Sequence, residues 1–506
     1  MSLDLAGKPG SLPSAQARPI PHAAALTAAY VTLALLLAVP LLVAEVPLSM
    51  DSLNHFARVH VRANIAHDPD LARLFEVRDG LVPYMGLDWL LTPLARVLPT
   101  LVAGRVGIVL ILWGTVGAAM VLRRTFSGRV GYEPLLVGLV AYNALLAAGF
   151  LNYLVGVVGA LLGLAAWHAA RDRAVPVRVL AGMVVATGLF LTHLLSLALY
   201  GLMLGAYEAF GRPRAWRTPV RDWLVLAIGF APSVLLWLLL APPALPPRAE
   251  SGYHWLLNMK AIVLLSPVYF SPAGGGVALG FSILAGCAAL GVILTRRGLV
   301  FWDRRLAAPA AVLMIAGLVV PTWAMGVYLV DMRFPAVGAV LAAAALRVAP
   351  GAGVRLLPVA LLLAVAVTAE VGFAAAAMHA CDGQYRELRA GMQALPRGAV
   401  LDAVAETESP VPGVPCTALP IHSQMAQLVT VERSGYSPAF FATVTAVGVR
   451  GGLPSDSYPT PAHLVTADRP PRHGHLLWMH MGNHRPVPPG MTLLHAGSFF
   501  DLFSIP

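Results

Sequence analysis

Four polar side chains in the stretch SMDSLNHFARVHVR are spaced for chemistry: Asp51, His55, Arg58 and Arg62. They follow one another at four, three and four residues. At ~100° per residue, helical spacing puts them on one stripe roughly 60° wide. A carboxylate can serve there as a general base for a hydroxyl. Two guanidiniums one turn apart suit a pyrophosphate or a lipid phosphate, because arginine binds phosphate bidentately. The plainer readings are that Asp51 caps a helix and that the arginines meet lipid headgroups.

The stretch comes directly after the apolar run 22–43. Of the 506 residues, 58% are hydrophobic and only 12% charged, with a mean hydropathy of +0.72. A soluble chain of this length could not cover itself with so few charges. The expected class is a polytopic α-helical membrane protein. Its formal net charge of +10 is therefore not a nucleic-acid footprint. The basic residues are nearly all arginines, Lys8 and Lys260 being the lysines, and they fall mostly in short loops that set topology.

Arginine placement and apolar length predict about eleven membrane spans, at about 23–43, 101–122, 133–148, 152–169, a hairpin of two short helices over 178–210, 222–241, 275–295, 306–326, 334–347 and 356–378. The hairpin breaks near Thr192-His193, which keeps Arg212, Arg214, Arg217 and Arg221 on the same side as the other loop arginines. The run 22–43 is too long for a signal-peptide core and reads as a retained first helix. The chain then divides into a cytoplasmic tail (1–22), a transmembrane domain (23–378) with outer loops 44–100 and 242–273, and an extracytoplasmic domain (379–506). The site of action is the cell inner (plasma) membrane, with the N-terminus cytoplasmic and the C-terminal domain periplasmic or extracellular.

From His379 the composition turns polar and no run could span. Helical spacing of Tyr385, Leu388, Met392 and Leu395 stops at Pro396. Strands are expected at 399–404, 476–481 and 491–505, the last turning at Gly497. This makes a small α+β domain. An oxidising compartment would permit a Cys381–Cys416 disulfide.

Other residues could join the stripe. Asp88 is a second acid, in an amphipathic piece over 84–98. Asn152 and Tyr153 open a helix, with Asn152 as its cap. His193 lies within an apolar run, where a histidine is costly without a partner or a cavity. His254 and Lys260 sit among aromatics in the second outer loop, either as an interfacial belt or as a lid. Asp331 and Arg333 either neutralise each other or leave Arg333 to reach a phosphate. Histidines 55, 60 and 67 do not share a face, which argues against structural zinc. Asp51 together with a phosphate leaves room for a divalent cation.

With a first helix leading to an outer loop that carries an acid (Asp51 in SMDSLNHFAR), amphipathic loop helices, many spans, short mid-chain helices and a C-terminal outer domain, the chain resembles the membrane-embedded type C glycosyltransferases, which use lipid-phosphate-linked sugars. GFLNYLVG, LFLTHLLS and DMRFP resemble segments of uncharacterised bacterial membrane proteins of this general kind. The glycosyltransferase family often has two adjacent acids where Asp51 is followed by Ser52. The resemblance implies an inverting hexosyl or pentosyl transfer from a polyprenyl-phosphate sugar to a glycan, lipid or protein acceptor. Asp51 would be catalytic. His55, Arg58, Arg62, Asp88, His193, His254, Lys260 and Arg333 would line the substrates, with membrane lipid as a partner. The rival readings are a lipid or glycan transporter, or a non-catalytic assembly subunit. A transporter would show paired broken helices in related halves, and the sequence carries none.

Overall fold

The computed structural model describes residues 22–78, 83–211, 219–240, 253–257, 260–264, 276–324, 327–406, 422–440, 447–450, 453, 460–461, 474–480, 487 and 490–505. The N-terminal tail, most of the 242–273 loop expected on the outer side, and Cys416 lie outside these residues.

The helices in order are α1 (His22–Leu42), α2 (Ser52–Asn64), α3 (Pro69–Leu74), α4 (Gly86–Ala95), α5 (Thr100–Ser127), α6 (Ala144–Ala147), α7 (Leu151–Ala169), α8 (Val175–Thr192) and α9 (Leu194–Phe210). They continue with α10 (Pro219–Leu240), α11 (Lys260–Leu264), α12 (Gly276–Arg296), α13 (Arg304–Val319), α14 (Arg333–Ala345), α15 (Leu357–Met392), α16 (His422–Met425) and α17 (Leu428–Arg433). Six helices among the described residues, namely α1, α5, α7, α8, α10 and α15, are long and apolar enough to cross a membrane. The protein is a multi-pass membrane protein. Helices α9, α12 and α14 are apolar but shorter over the part described.

Packing runs in a chain: α1 against α5 and α15, α5 against α7, α7 against both α8 and α9, α8 against α10, and α9 against α13, which lies on α14. The hairpin over 178–210 is present. His193 is extended at φ −169°, and it ends α8 and starts α9. Gly163 of α7 faces both Val185 and Tyr200, so the two helices run back along the same neighbour.

The expected span over 133–148 is not one α-helix. Glu133–Val140 winds as a 3-10 helix, and α6 is a separate turn capped by Asn143. Pro134 and Asn143 explain the interruption, since Pro lacks a donor and Asn competes for backbone hydrogen bonds. Asn143 Oδ1 accepts from Leu145 N and Leu146 N at 3.0 and 3.2 Å. The Tyr142 hydroxyl donates to Leu37 O at 2.8 Å. Such irregular backbone is tolerated at membrane depth only when protein buries it, and residues 137–148 are all buried. Helix α15 also exceeds its expected end, running without a break through residue 379 to Met392.

Between α1 and α5 the chain forms an amphipathic shelf. Helix α3 starts where Asp68 Oδ1 accepts from Asp70 N and Leu71 N, with Pro69 at the first turn. Helix α2 lies on α4, and α17 lies on α2. C-terminal strands 401–405, 475–479, 492–496 and 501–504 fall close to the expected positions. With 460–461 they form a mixed sheet in the order 492–496, 501–504, 475–479, 401–405, 460–461. Strand 475–479 is parallel to 401–405, with His475 opposite Leu401, and antiparallel to 501–504. Phe75–Val77 pairs with Val447–Val449, tying the 44–100 loop to the C-terminal region. Arg397 adds ion pairs to Asp68 and Asp70, and Arg389 bridges Glu45 and Glu432. Cys381 is disulfide-bonded.

Candidate active site

Asp51 sits at the N-cap of α2 but makes no side-chain capping bond. What places it is the turn between α6 and α7. Met50 N donates to Ala147 O at 2.9 Å, Asp51 N to Ala148 O at 3.3 Å, and the Ser49 hydroxyl to Leu146 O at 2.8 Å. Gly149, at φ +77°, lies flat against this backbone. A Cβ there would come within 2.5 Å of Asp51 N. Asp51 keeps part of its surface open, yet the surrounding protein removes it from bulk water. Burial raises its pKa to about 7, and the Arg333 guanidinium pulls it partly back down.

Arg333 begins α14 and is buried with no carboxylate in ion-pair contact among the described residues. Its guanidinium lies 3.9 Å from the Phe150 ring centre and 5.5 Å from that of Tyr153. Its polar contacts are long: 3.5 Å to His193 Nε2, and 3.4 Å each to Leu329 O and Tyr328 O. The Tyr153 hydroxyl donates to Arg333 O at 2.8 Å and holds the helix start. A buried guanidinium stacked on aromatics and loosely bonded at its edge is suited to receive an anion.

His193 closes the third side. Its Nδ1 accepts from Leu195 N at 3.1 Å, and its ring meets Tyr84 and Tyr153 edge-on at 4.7 and 5.6 Å. His55 approaches from α2 and lies near His193. His55 hydrogen-bonds the Gly149 backbone and takes Arg58 Nη2 at 3.2 Å on Nδ1. Burial, then Arg58, holds its pKa well below the usual imidazole value, so the ring is neutral.

Asn152 does not cap α7, whose N-cap is Phe150. Instead its Oδ1 accepts from Leu87 N at 2.7 Å and its Nδ2 donates to Tyr84 O at 2.9 Å. This clamp holds Tyr84 at φ +68°, a conformation that costs a non-glycine residue about 1–2 kcal/mol.

Asp51, His55, His193 and Arg333 thus share one recess. Arg58 and Asp88 pair with each other instead, at 2.9 and 3.1 Å, both buried. Asp88 is not a second acid beside Asp51, and Arg58 is not a free cation. Arg62 is half-buried one turn further along α2, with its Nε unpartnered. Of the two readings of Asp331 and Arg333, their mutual neutralisation does not occur. Asp331 pairs with Lys260 at 2.6 Å and accepts from the Thr322 hydroxyl at 2.6 Å. Lys260 also donates to Val320 O at 2.6 Å. His254 is exposed on a two-residue strand, opposite Trp323. Tyr84 and Phe150 were not foreseen. Nothing in the sequence marks Tyr84, whereas Phe150 belongs to the aromatic GFLNYLVG turn already singled out for Asn152 and Tyr153.

Among the described residues no three His, Cys, Asp or Glu side chains gather as a metal site. With Asp88 committed to Arg58, the recess offers a divalent cation the carboxylate of Asp51, a donor that holds Mg²⁺ only together with a substrate phosphate and water.

In fold the chain is similar to ArnT from Cupriavidus metallidurans. The similarity is to one structure bound to undecaprenyl phosphate, with a TM-score of 0.48, and one in the apo state, at 0.47. Both alignments have 14% identity and cover 95% of this chain and 98% of the other. No family model and no curated protein matches the chain.

Proposed function

We propose that this protein is a membrane glycosyltransferase that moves a sugar from a polyprenyl-phosphate donor to an acceptor hydroxyl. The observation that carries the reading is the recess itself. A carboxyl with a pKa of about 7 faces a buried guanidinium held on aromatic rings.

Asp51 takes the proton as the acceptor O–H bond breaks. The acceptor oxygen bonds to the anomeric carbon and inverts it, while the bond from that carbon to the phosphate oxygen breaks. The lipid phosphate leaves with the electron pair, and Arg333 meets its growing charge. His55 and His193 line the path of the incoming phosphate beside Arg333. The finer topology belongs to the same reading: about eleven spans, N-terminus cytoplasmic, the recess on the outer face, and the C-terminal domain positioning the acceptor.

The test uses the full chain in nanodiscs with a panel of polyprenyl-phosphate sugars. Asp51→Asn should lower transfer about 10²–10⁴-fold, the usual contribution of general base catalysis, while polyprenyl phosphate still binds. Full transfer by Asp51→Asn would remove the base assignment. Unchanged lipid-phosphate binding by Arg333→Ala would remove the phosphate site.

A further inference from the structure

At the opposite end of the bundle from Asp51, α12 stands away from its neighbours. None of residues 282–296 is buried, although the segment is mostly apolar. Between it and α14, α15 and the 3-10 helix lies a cavity of about 480 Å³. Its walls are aliphatic side chains such as Leu136, Leu290, Ala343 and Leu363, with Cys287 and Trp302. A second cavity of about 470 Å³ shares Cys287 and Trp302 and reaches Arg296. Voids of this size fall within the roughly 300–1,000 Å³ of ligand sites. Both open to one side, and left unfilled their apolar walls would lose dispersion contacts there.

The rim carries a sign. Arg296, Arg297 and Arg355 are exposed at this end, and Leu356, next to Arg355, is part of the cavity wall. The nearby acids are already used. Glu133 is paired with Arg123 at 2.7 Å, and Asp303 is paired with Arg305 and Arg347. An apolar slot below a set of uncommitted guanidiniums matches an acyl chain below a phosphodiester.

We infer that this cavity is a binding site for an anionic phospholipid of the leaflet on the arginine-rich side. One acyl chain fills the slot beside α12, and its phosphate lies at Arg296 and Arg355. The site is separate from the Asp51 recess and stands whether or not sugar transfer is the activity.

The full chain is placed in nanodiscs holding equal phosphatidylglycerol and phosphatidylcholine, with a trace of polyprenyl phosphate, and retained lipid is read by native mass spectrometry. Phosphatidylglycerol should be retained at least about fivefold over phosphatidylcholine. That preference should vanish in Arg296→Gln/Arg355→Gln. In Ala343→Trp, which fills the slot, retained phospholipid should fall about fivefold while the melting temperature holds. Equal retention of the two phospholipids, a preference unchanged by the rim variant, or retention of polyprenyl phosphate alone would each overturn the assignment. If Ala343→Trp fails to fold, Leu290→Phe fills the same slot more gently, and undiminished retention by that variant would also overturn it.

Discussion

Asp51 carries a titration that the rest of its environment makes useful. Its folded pKa of about 7 lies above the ordinary carboxyl value of 3.8 because burial disfavours the anion. The folded state therefore holds this proton more tightly than the unfolded chain does. Stability from this group is complete below about pH 4 and declines as pH rises to about 7. Asp51→Asn should accordingly raise the melting temperature at pH 8 and leave it unchanged near pH 4, as read by thermal scans in detergent. The proposed transfer has the opposite slope, since its base must be ionised. Transfer by the unaltered protein should climb between about pH 6 and 8, and a flat profile there would argue against Asp51 as the base. Arg333→Lys keeps the charge but loses the flat face on Phe150. We expect phosphate-lipid affinity to fall about tenfold in that variant, measured by native mass spectrometry, with Arg333→Ala falling further.

At the scale of elements, the site depends on how α2 is seated. The Arg58–Asp88 pair joins α2 to α4 inside the protein, and the α6–α7 turn holds the backbone of Asp51. Arg58→Met leaves Asp88 buried and unpaired and should cost about 3–5 kcal/mol, seen as a lower melting temperature, with Asp88→Asn similar. The double replacement by apolar residues should recover much of that loss. Gly149→Ala meets both a left-handed backbone and the Asp51 main chain. It should reduce transfer more than the conservative size change suggests, while a neighbouring Ala148→Gly should not. His60, bonded to Thr100 at 2.8 Å, is held down to about pKa 4, mainly by burial. The unfolded chain takes up that proton first, so acidification from about pH 6.5 towards 4 should destabilise the shelf, and His60→Gln should blunt that loss.

At the scale of the whole molecule, polar groups segregate to two ends of the helices. The recess occupies one end. Buried Arg123, Glu133 and Asp303 and half-buried Arg305 and Arg347 form an ion cluster at the other. The topology that follows is testable by labelling. An impermeant maleimide on intact spheroplasts should modify Val97→Cys, which is exposed beside the recess end. It should reach Val354→Cys, exposed at the arginine end, only after the membrane is opened. The reverse pattern would invert the orientation and move the proposed reaction to the cytoplasmic face.

Much of this architecture was legible from residue order alone. Apolar length marked the long helices, and the positive loops marked the hairpin at His193, because burying an arginine away from its side is costly. The Asp51–Arg62 stripe was visible because helical spacing is local. What the residues on that stripe would face was not local. Asp88 supplied Arg58 with a partner from another helix, Lys260 took Asp331 away from Arg333, and Asn152 left its expected cap to clamp Tyr84. Each of these choices depends on which polar groups become neighbours once water is excluded. Sequence spacing thus determined the candidate stripe, and tertiary packing decided that only Asp51 and His55 from it would share a recess with His193 and Arg333.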